Sequence, residues 1–409
     1  MSTPPSHWLF VLCLIGVDYF STLAYQTSIT FKTAGLLGPP ATIVVVVMTL
    51  CGALPVYWHI AGRSPDGHSS IALLQRFLRG WVGKTLVLIL LGFATTDFVV
   101  TKTLSAASAA EHIIHNPNLQ WQRNLTGVVT WVQDGIVRMA GANIDEVFTK
   151  KMLVTLTLGA MSFAFWALIH KGFRQKATRW AVVVVAAYLA LNAIVVGSGL
   201  YYLSHQPDVW ERWWTHVLNG DWHTTHRPFI GVSGWTLALT SMLLFPKLAL
   251  GLSGLEMTIV AMPAIRANDR HDTRGRVRDT RKVMCVAALI MSACLLGSIV
   301  VTTLLIPPDQ FAPGGSAAER ALSYLAHGGQ LTTGQTAAVV CPWFGESFGT
   351  LYDVVTIVIL CLAGTSVITG LTTLLPQFLL KFGMQFQWVH RWGVLFGAFA
   401  LMNLGVTLA

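Results

Sequence analysis

The stretch that decides the fold is IGVDYFSTLAYQTSITF, residues 15–31, near the start of the 409-residue chain. It belongs to an apolar run long enough to cross a bilayer, which takes about 20 residues in a helix. Gly16, Asp18 and Gln26 interrupt the run. A helix in hydrocarbon must satisfy its backbone groups internally, so an interruption is tolerated there only where it lines a cavity. The stretch therefore predicts a membrane helix that is broken at a functional site.

The composition of the whole chain agrees with a membrane location. Hydrophobic residues make up 54% of the chain and charged residues only 11%, whereas soluble domains are about 25% charged. Long apolar runs without alternation indicate helices rather than barrel strands. Nine runs are long enough to span, at residues 8–35, 39–62, 84–112, 152–170, 178–203, 233–262, 283–306, 349–375 and 389–409.

The net charge of +9 would suggest a nucleic-acid partner in a soluble protein. Here the basic residues sort by loop instead. Of the 27 Lys and Arg residues, 17 fall in the loops near 63–84, 171–179, 263–282 and 381–391, and only 7 in the alternate loops. Cytoplasmic loops carry such an excess. We therefore predict a multi-pass protein of the cytoplasmic membrane, with a cytoplasmic N-terminus, lipid as its surroundings and no nucleic acid.

A second interruption lies in FPKLALGLSGLEMTIV, residues 245–260, where Pro246, Gly251 and Gly254 cluster beside Glu256. Interrupted helices at the first and sixth positions are typical of inverted five-plus-five repeat transporters. The alternative is ordinary, since Gly and Pro also serve packing in membrane helices.

The predicted fold class is thus an all-α membrane protein with a LeuT-like inverted-repeat helical bundle, in which helices 1 and 6 are broken. We expect one transporter domain over residues 1–409, with a first repeat at 8–203 and a second at 233–409. Because the ninth run stops at Ala409, the bundle is expected to be incomplete at the C-terminus.

Ionisable groups inside the spans mark the candidate site, because a charge at the bilayer centre costs several kcal/mol. Asp97, Thr101 and Ser105 recur at i, i+4 and i+8 and so share one helix face. Asp18 and Tyr25 lie on the first interrupted span. Oxygens of carboxylates, hydroxyls and freed carbonyls are ligands that suit alkali cations.

Each candidate has an alternative interpretation. Hydroxyls in membrane helices often bond to their own i−4 carbonyl, and Asp97 could form a structural ion pair with a buried lysine. Glu256 is either a helix cap or a proton carrier, because an acid near a helix N-terminus is stabilised by the dipole. Asp353, near the outer end of the eighth run, is expected at the membrane interface.

The segments GVDYFSTLAYQ, TTDFVVTKTLS, GLSGLE and GTSVITGLTTLLPQFLLKFGM resemble the amino acid/polyamine/organocation superfamily, and most closely its KUP-type, KimA-like potassium/proton symporters. The resemblance covers nearly the whole chain in span order. It implies a potassium ion held between the first, third, sixth and eighth spans. The residues implied as ligands are Asp18, Tyr25, Asp97, Thr101 and Ser105, with Ser253 and Tyr352 as further members of the site.

Two departures from the family pattern affect this expectation. Lys102 stands beside Thr101 where an apolar residue is expected, and an ammonium group inside the site would favour an amino acid or another anion-bearing solute. Family members also run to twelve spans, often followed by a soluble domain through which they pair. We therefore expect the chain to be a fragment that lacks spans 10–12. Whether it forms a homodimer is left open by the sequence.

The predicted function is a proton-coupled secondary transporter that imports a potassium ion. Glu256 or one of the two aspartates would carry the proton. No nucleotide-binding loop and no nucleophile with a His partner occur in the spans, so we predict neither an enzyme nor a cofactor. An amino-acid/proton symporter is the alternative, favoured if Lys102 or Lys247 points into the cavity. A membrane sensor without transport is the third interpretation.

Overall fold

The computed structural model describes residues 8–63, 80–140, 146–168, 174–222, 234–248, 253–262, 265, 273–312 and 314–381. These residues form helices, and no strand occurs among them. The helices are α1 Trp8–Ser21, α2 Leu23–Ala34, α3 Gly38–Val47, α4 Leu54–Arg63, α5 Gly80–Ile114, α6 Leu119–Ala140, α7 Glu146–Leu168, α8 Arg174–Ser204, α9 Pro207–Asn219, α10 Gly234–Leu248, α11 Ser253–Val260, α12 Thr273–Leu305, α13 Ala321–Ala326, α14 Ala337–Val340 and α15 Glu346–Lys381.

Several of these helices have the length and composition of membrane spans. Four segments qualify within the described residues: Trp8–Arg63, Arg179–Ser204, Thr273–Leu305 and Glu346–Ser366. The chain is therefore all-helical in its described part, as expected of an all-α membrane protein. The ninth predicted run, 389–409, lies outside the described residues.

The first predicted span is interrupted at Thr22 without being unwound. Thr22 has φ −61° and ψ −26°, which are helical values. The hydroxyls of Ser21 and Thr22 donate to the carbonyls of Asp18 and Tyr19, at 2.9 and 2.8 Å. Polar residues that bond back to their own helix in this way need no unwound segment. The unwound break predicted for this span is therefore not observed.

The sixth predicted span is described as two helices, α10 ending at Leu248 and α11 beginning at Ser253. Residues 249–252, where the sequence predicts the break, lie outside the described residues.

Four described helices occupy stretches that the sequence predicted as loops. The two longer ones, α6 and α9, follow α5 and α8, and the short α13 and α14 precede α15. In α9, Val209 and Val217 are buried and Trp213 is partly buried between them. These residues are spaced at i, i+4 and i+8, so one apolar face packs on the bundle while the other face is exposed.

The second span is interrupted by a π-helical turn. Met48–Ala53 forms this turn between α3 and α4. Each such turn accommodates an extra residue in the helix. As a result α4 leaves the turn with its side chains rotated relative to those of α3.

The bundle is organised around α1, α5 and α15. α15 packs along α5, and α1 contacts α8, α12 and α15. Buried apolar residues of α1, α8 and α12, such as Phe20, Tyr188 and Met291, form one continuous core. This packing brings the polar residues of the first and third predicted spans beside the eighth.

Candidate functional site

Asp18 is a buried carboxyl group near the middle of the bundle. Its side chain is 3% exposed. The Ser366 hydroxyl, on α15, lies within hydrogen-bonding reach of the carboxyl group. The second oxygen, Oδ1, has no hydrogen-bond partner in the described part of the chain. Burial of a carboxylate without compensating donors or a counter-ion is costly, so this oxygen is available to a ligand.

Asp97 approaches Asp18 from α5. The two carboxyl groups are close enough to interact electrostatically. Asp97 differs in that its side chain is exposed, so the site is open on this side rather than closed. Among the described residues neither aspartate forms an ion pair with a basic side chain. The structural ion pair considered for Asp97 is therefore not observed there.

Thr101 and Ser105 continue the α5 stripe and are buried. The Ser105 hydroxyl donates to the Thr101 carbonyl at 2.8 Å, which is the back-bonded arrangement considered from the sequence. The hydroxyl also lies within hydrogen-bonding reach of Tyr25. Tyr25, on α2, is close enough to both aspartates to interact with them electrostatically. The structure thus places Tyr25 beside Ser105 and near Asp18 and Asp97, while Thr101 joins this group through its carbonyl, which accepts from Ser105.

Tyr352 is buried on α15, but its hydroxyl donates to Asn192 Oδ1 at 3.0 Å. Its ring centroid lies 6.4 Å from that of Tyr188. Tyr188 interacts in turn with Tyr25. Tyr352 is therefore connected to Tyr25 through Tyr188, and its hydroxyl is bonded to α8.

The sixth-span candidates are described only in part. The side chains of Ser253 and Lys247 lie outside the described set, so their predicted roles stay predictions. Glu256 is partly buried in the first turn of α11. Gln26 connects the first span to this region, because its amide donates to the Leu248 carbonyl at 2.8 Å.

Lys102 is buried and lines a cavity of about 320 Å³ between α5, α7 and α15. The cavity has mostly apolar walls, with Ser105, Thr155 and Ser162 as polar members. A Cβ atom on Gly364 would lie 3.9 Å from Lys102 Cγ, which places the lysine stem against α15. Lys102 therefore faces a cavity that adjoins Ser105.

Asp353, which the sequence predicted at the membrane interface, is fully buried within the protein. His112 Nδ1 and Asn116 Nδ2 meet its two oxygens at 2.7 and 2.8 Å. Ser323 donates to the first oxygen, and His327 Nε2 lies 2.9 Å from the second. A carboxylate with this many donors is satisfied without water. These partners come from elements distant in sequence, so no local pattern indicated that the carboxyl group of Asp353 would be buried and paired.

Arg320 completes this cluster, with Nη1 3.8 Å from Asp353 Oδ2. Burial lowers the pKa of the Arg320 guanidinium, and the Asp353 carboxylate acts in the opposite direction. The cluster links α5, α15 and the segment containing α13. One sequence signal could have indicated it: Ser108 and His112 extend the α5 stripe of Asp97 by the same helical periodicity.

The geometry offers two oxygen-lined environments, one satisfied and one open. The open one, at Asp18, presents carboxylate and hydroxyl oxygens from the first span and α5, next to the mostly apolar cavity that Lys102 lines. Such oxygens can replace the hydration shell of a small cation. The chain matches no protein-family model and no curated protein sequence.

Proposed function

We propose that the protein is a secondary transporter that imports a potassium ion across the cytoplasmic membrane in symport with a proton. The observation that carries the proposal is the pair Asp18 and Asp97. One is buried with an oxygen that has no partner among the described residues, and the two lie close enough for repulsion between them when both are ionised. A monovalent cation between the two carboxylates would offset that repulsion, and hydroxyls of Tyr25 and Thr101 would add neutral oxygens.

The proposal includes a LeuT-like inverted repeat with a cytoplasmic N-terminus and movement of the first and sixth spans against the third and eighth. Support comes from the Gln26 hydrogen bond to Leu248, which connects those two spans, and from the polar groups of the first span facing α5. In such folds substrates bind near the bilayer midplane where helices are interrupted.

Proton coupling would use the carboxyl groups themselves. Two acids that interact strongly titrate as a pair rather than separately, so Asp18 and Asp97 would share a proton when the cation leaves. Glu256, at the start of α11, is the other candidate carrier. A Glu256→Gln variant should then bind potassium but no longer accumulate it against a gradient.

The first test is growth of a potassium-uptake-deficient bacterium at low potassium. The unmodified chain should rescue growth, whereas Asp18→Asn and Asp97→Asn should not. Asp208→Asn removes an exposed carboxylate from α9 and serves as the matched control. Rescue by both site variants would contradict the proposed ligands.

An amino-acid/proton symporter is the second candidate, and the Lys102 cavity favours it. A volume of about 320 Å³ lies at the lower end of small-molecule sites, which run from about 300 to 1,000 Å³. An ammonium group on its wall would suit a substrate carboxylate. Proton-driven amino-acid uptake into liposomes that is lost in Lys102→Met, without potassium flux, would support this candidate. Ligand binding without any flux would instead support a sensor.

A further inference from the structure

A basic cavity lies at one end of the bundle, between α4 and the first turns of α12. Its volume is about 550 Å³. Basic side chains of α12 face an aromatic ring and a glycine of α4 across it. The lining residues that matter are Arg274, Arg278, Arg281, Lys282, Trp58 and Gly62.

The spacing of the basic residues places them on one face of α12. Arg274, Arg278 and Lys282 recur at i, i+4 and i+8. Like charges at this spacing destabilise a helix. Asp279 lies 3.8 Å from Arg278 Nε and 3.7 Å from Lys282 Nζ. Among the described residues, four positive charges stand against one negative, and a bound anion would offset this excess of about +3.

Arg281 is held in place by α4. Its Nε donates to the Trp58 carbonyl at 3.1 Å, and its guanidinium carbon lies 5.1 Å from the centre of the Trp58 ring. A Cβ atom at Gly62 would lie 2.6 Å from Arg281 Nη2. A methyl group at position 62 would therefore displace the guanidinium from the place where α4 holds it.

The cavity lies at the level of the lipid headgroups. The apolar run of α12 begins at Val283, directly after Lys282. The headgroup layer is about 5–8 Å thick, and the helix rises about 1.5 Å per residue. Lys282, Arg281 and Arg278 therefore fall within that layer, and Arg274 extends beyond it.

We propose that this cavity binds the phosphate headgroup of an anionic phospholipid. Basic pockets between helices at a membrane surface bind such headgroups. Apolar surface continues from the cavity toward the bilayer interior, since Val56 on α4 and Leu289 on α12 are 57% and 54% exposed. Leu289 follows Lys282 by two helical turns, on the same face, and offers an acyl chain a path. This inference does not rest on the proposed transport activity.

The experiment measures lipid binding to the purified full chain in neutral detergent by native mass spectrometry. Phosphatidylglycerol is titrated against phosphatidylcholine and against soluble glycerophosphoglycerol, which carries the same phosphate without acyl chains. The double variant Arg278→Gln/Lys282→Gln should bind phosphatidylglycerol about thirtyfold more weakly, at roughly fivefold per charge. Arg123→Gln/Arg212→Gln removes two exposed charges from α6 and α9 and should bind as the unmodified chain does.

Gly62→Ala provides a variant that keeps every charge but displaces Arg281, and it should also weaken phosphatidylglycerol binding. It favours helix formation at that position, so a loss of binding would not reflect misfolding of α4. Equal binding of phosphatidylglycerol and phosphatidylcholine, or equal weakening in both double variants, would overturn the proposal. Binding of glycerophosphoglycerol as tight as that of the lipid would assign the cavity to a soluble phosphate instead.

Discussion

Asp18 and Asp353 are both buried carboxyl groups in membrane-length helices, yet their surroundings are opposite. Asp353 is met by His112, Asn116, Ser323 and His327, with Arg320 at 3.8 Å. Asp18 has the Ser366 hydroxyl within reach and one oxygen without a partner in the described part of the chain. Burial alone therefore does not identify a carboxylate that binds a ligand. An oxygen without a hydrogen-bond partner among the described residues distinguishes Asp18 from Asp353.

The difference predicts opposite results when each carboxylate is neutralised. Removing one partner of a buried charge network leaves the other charge uncompensated and costs about 3–5 kcal/mol. Neutralising a buried carboxylate that has no ion pair removes an unfavourable charge instead.

The largest effect is expected for Asp353→Asn. It leaves Arg320 buried beside an amide, so the free energy of unfolding should fall by about 3–5 kcal/mol. Denaturant or thermal unfolding in detergent measures this. Asp309→Asn, which alters an exposed acid near the same segment, should change stability by less than about 0.5 kcal/mol. Equal, small losses in the two variants would show that the Asp353 cluster is not structural.

Asp18→Asn should reduce potassium uptake on the order of 100-fold, because one unit of ligand charge is lost in a low-dielectric site. The free energy of unfolding should stay the same or rise, since Asp18 forms no ion pair with any residue that the structure describes. Uptake and unfolding are measured on the same preparation. A stability loss as large as that of Asp353→Asn would remove the contrast on which the site assignment depends.

Tyr352→Phe tests whether this tyrosine is a ligand or a support. Its hydroxyl donates to Asn192, so its removal should cost about 1–2 kcal/mol of stability by leaving a buried amide oxygen unpaired. The potassium concentration that gives half-maximal uptake should change little. Tyr25→Phe should show the reverse pattern, with weaker uptake and a smaller stability loss. A large uptake defect in Tyr352→Phe would place its hydroxyl among the ligands.

Ser105→Ala gives the smallest expected effect. The Ser105 hydroxyl bonds to the Thr101 carbonyl of its own helix, a bond whose loss should cost less than about 1 kcal/mol. If Ser105 also positions the Tyr25 hydroxyl, the potassium concentration that gives half-maximal uptake should rise by about threefold to tenfold. An unchanged uptake curve would leave Ser105 with the back-bonded role alone.

Much of the fold followed from the sequence because its signal is local. Apolar runs predicted α5, α8, α12 and α15 to within about ten residues at each end. The errors have local causes as well. The hydroxyls of Ser21 and Thr22 bond to carbonyls of their own helix, so the backbone is not unwound at Thr22. The apolar runs did not indicate α9, because polar residues occupy its exposed face.

The surroundings of the two buried carboxyl groups were predictable only in part, because they depend on contacts between residues distant in sequence. The stripe Asp97, Thr101 and Ser105 is visible as a helical period. By contrast, His112 and His327 lie 241 and 26 residues from Asp353 in sequence. No local pattern joins these residues, so only the packing of α5 against α15 could reveal that the acid is satisfied rather than interfacial.

The π-helical turn at Met48–Ala53 sets the register of everything that follows it in the second span. One extra residue in a helix turns all later side chains by about 100°. Deleting Cys51, within this turn, would restore a regular helix and swing Trp58 and Gly62 away from Arg281. The basic cavity between α4 and α12 would thus disappear through a change two turns away that removes neither a charge nor an aromatic ring.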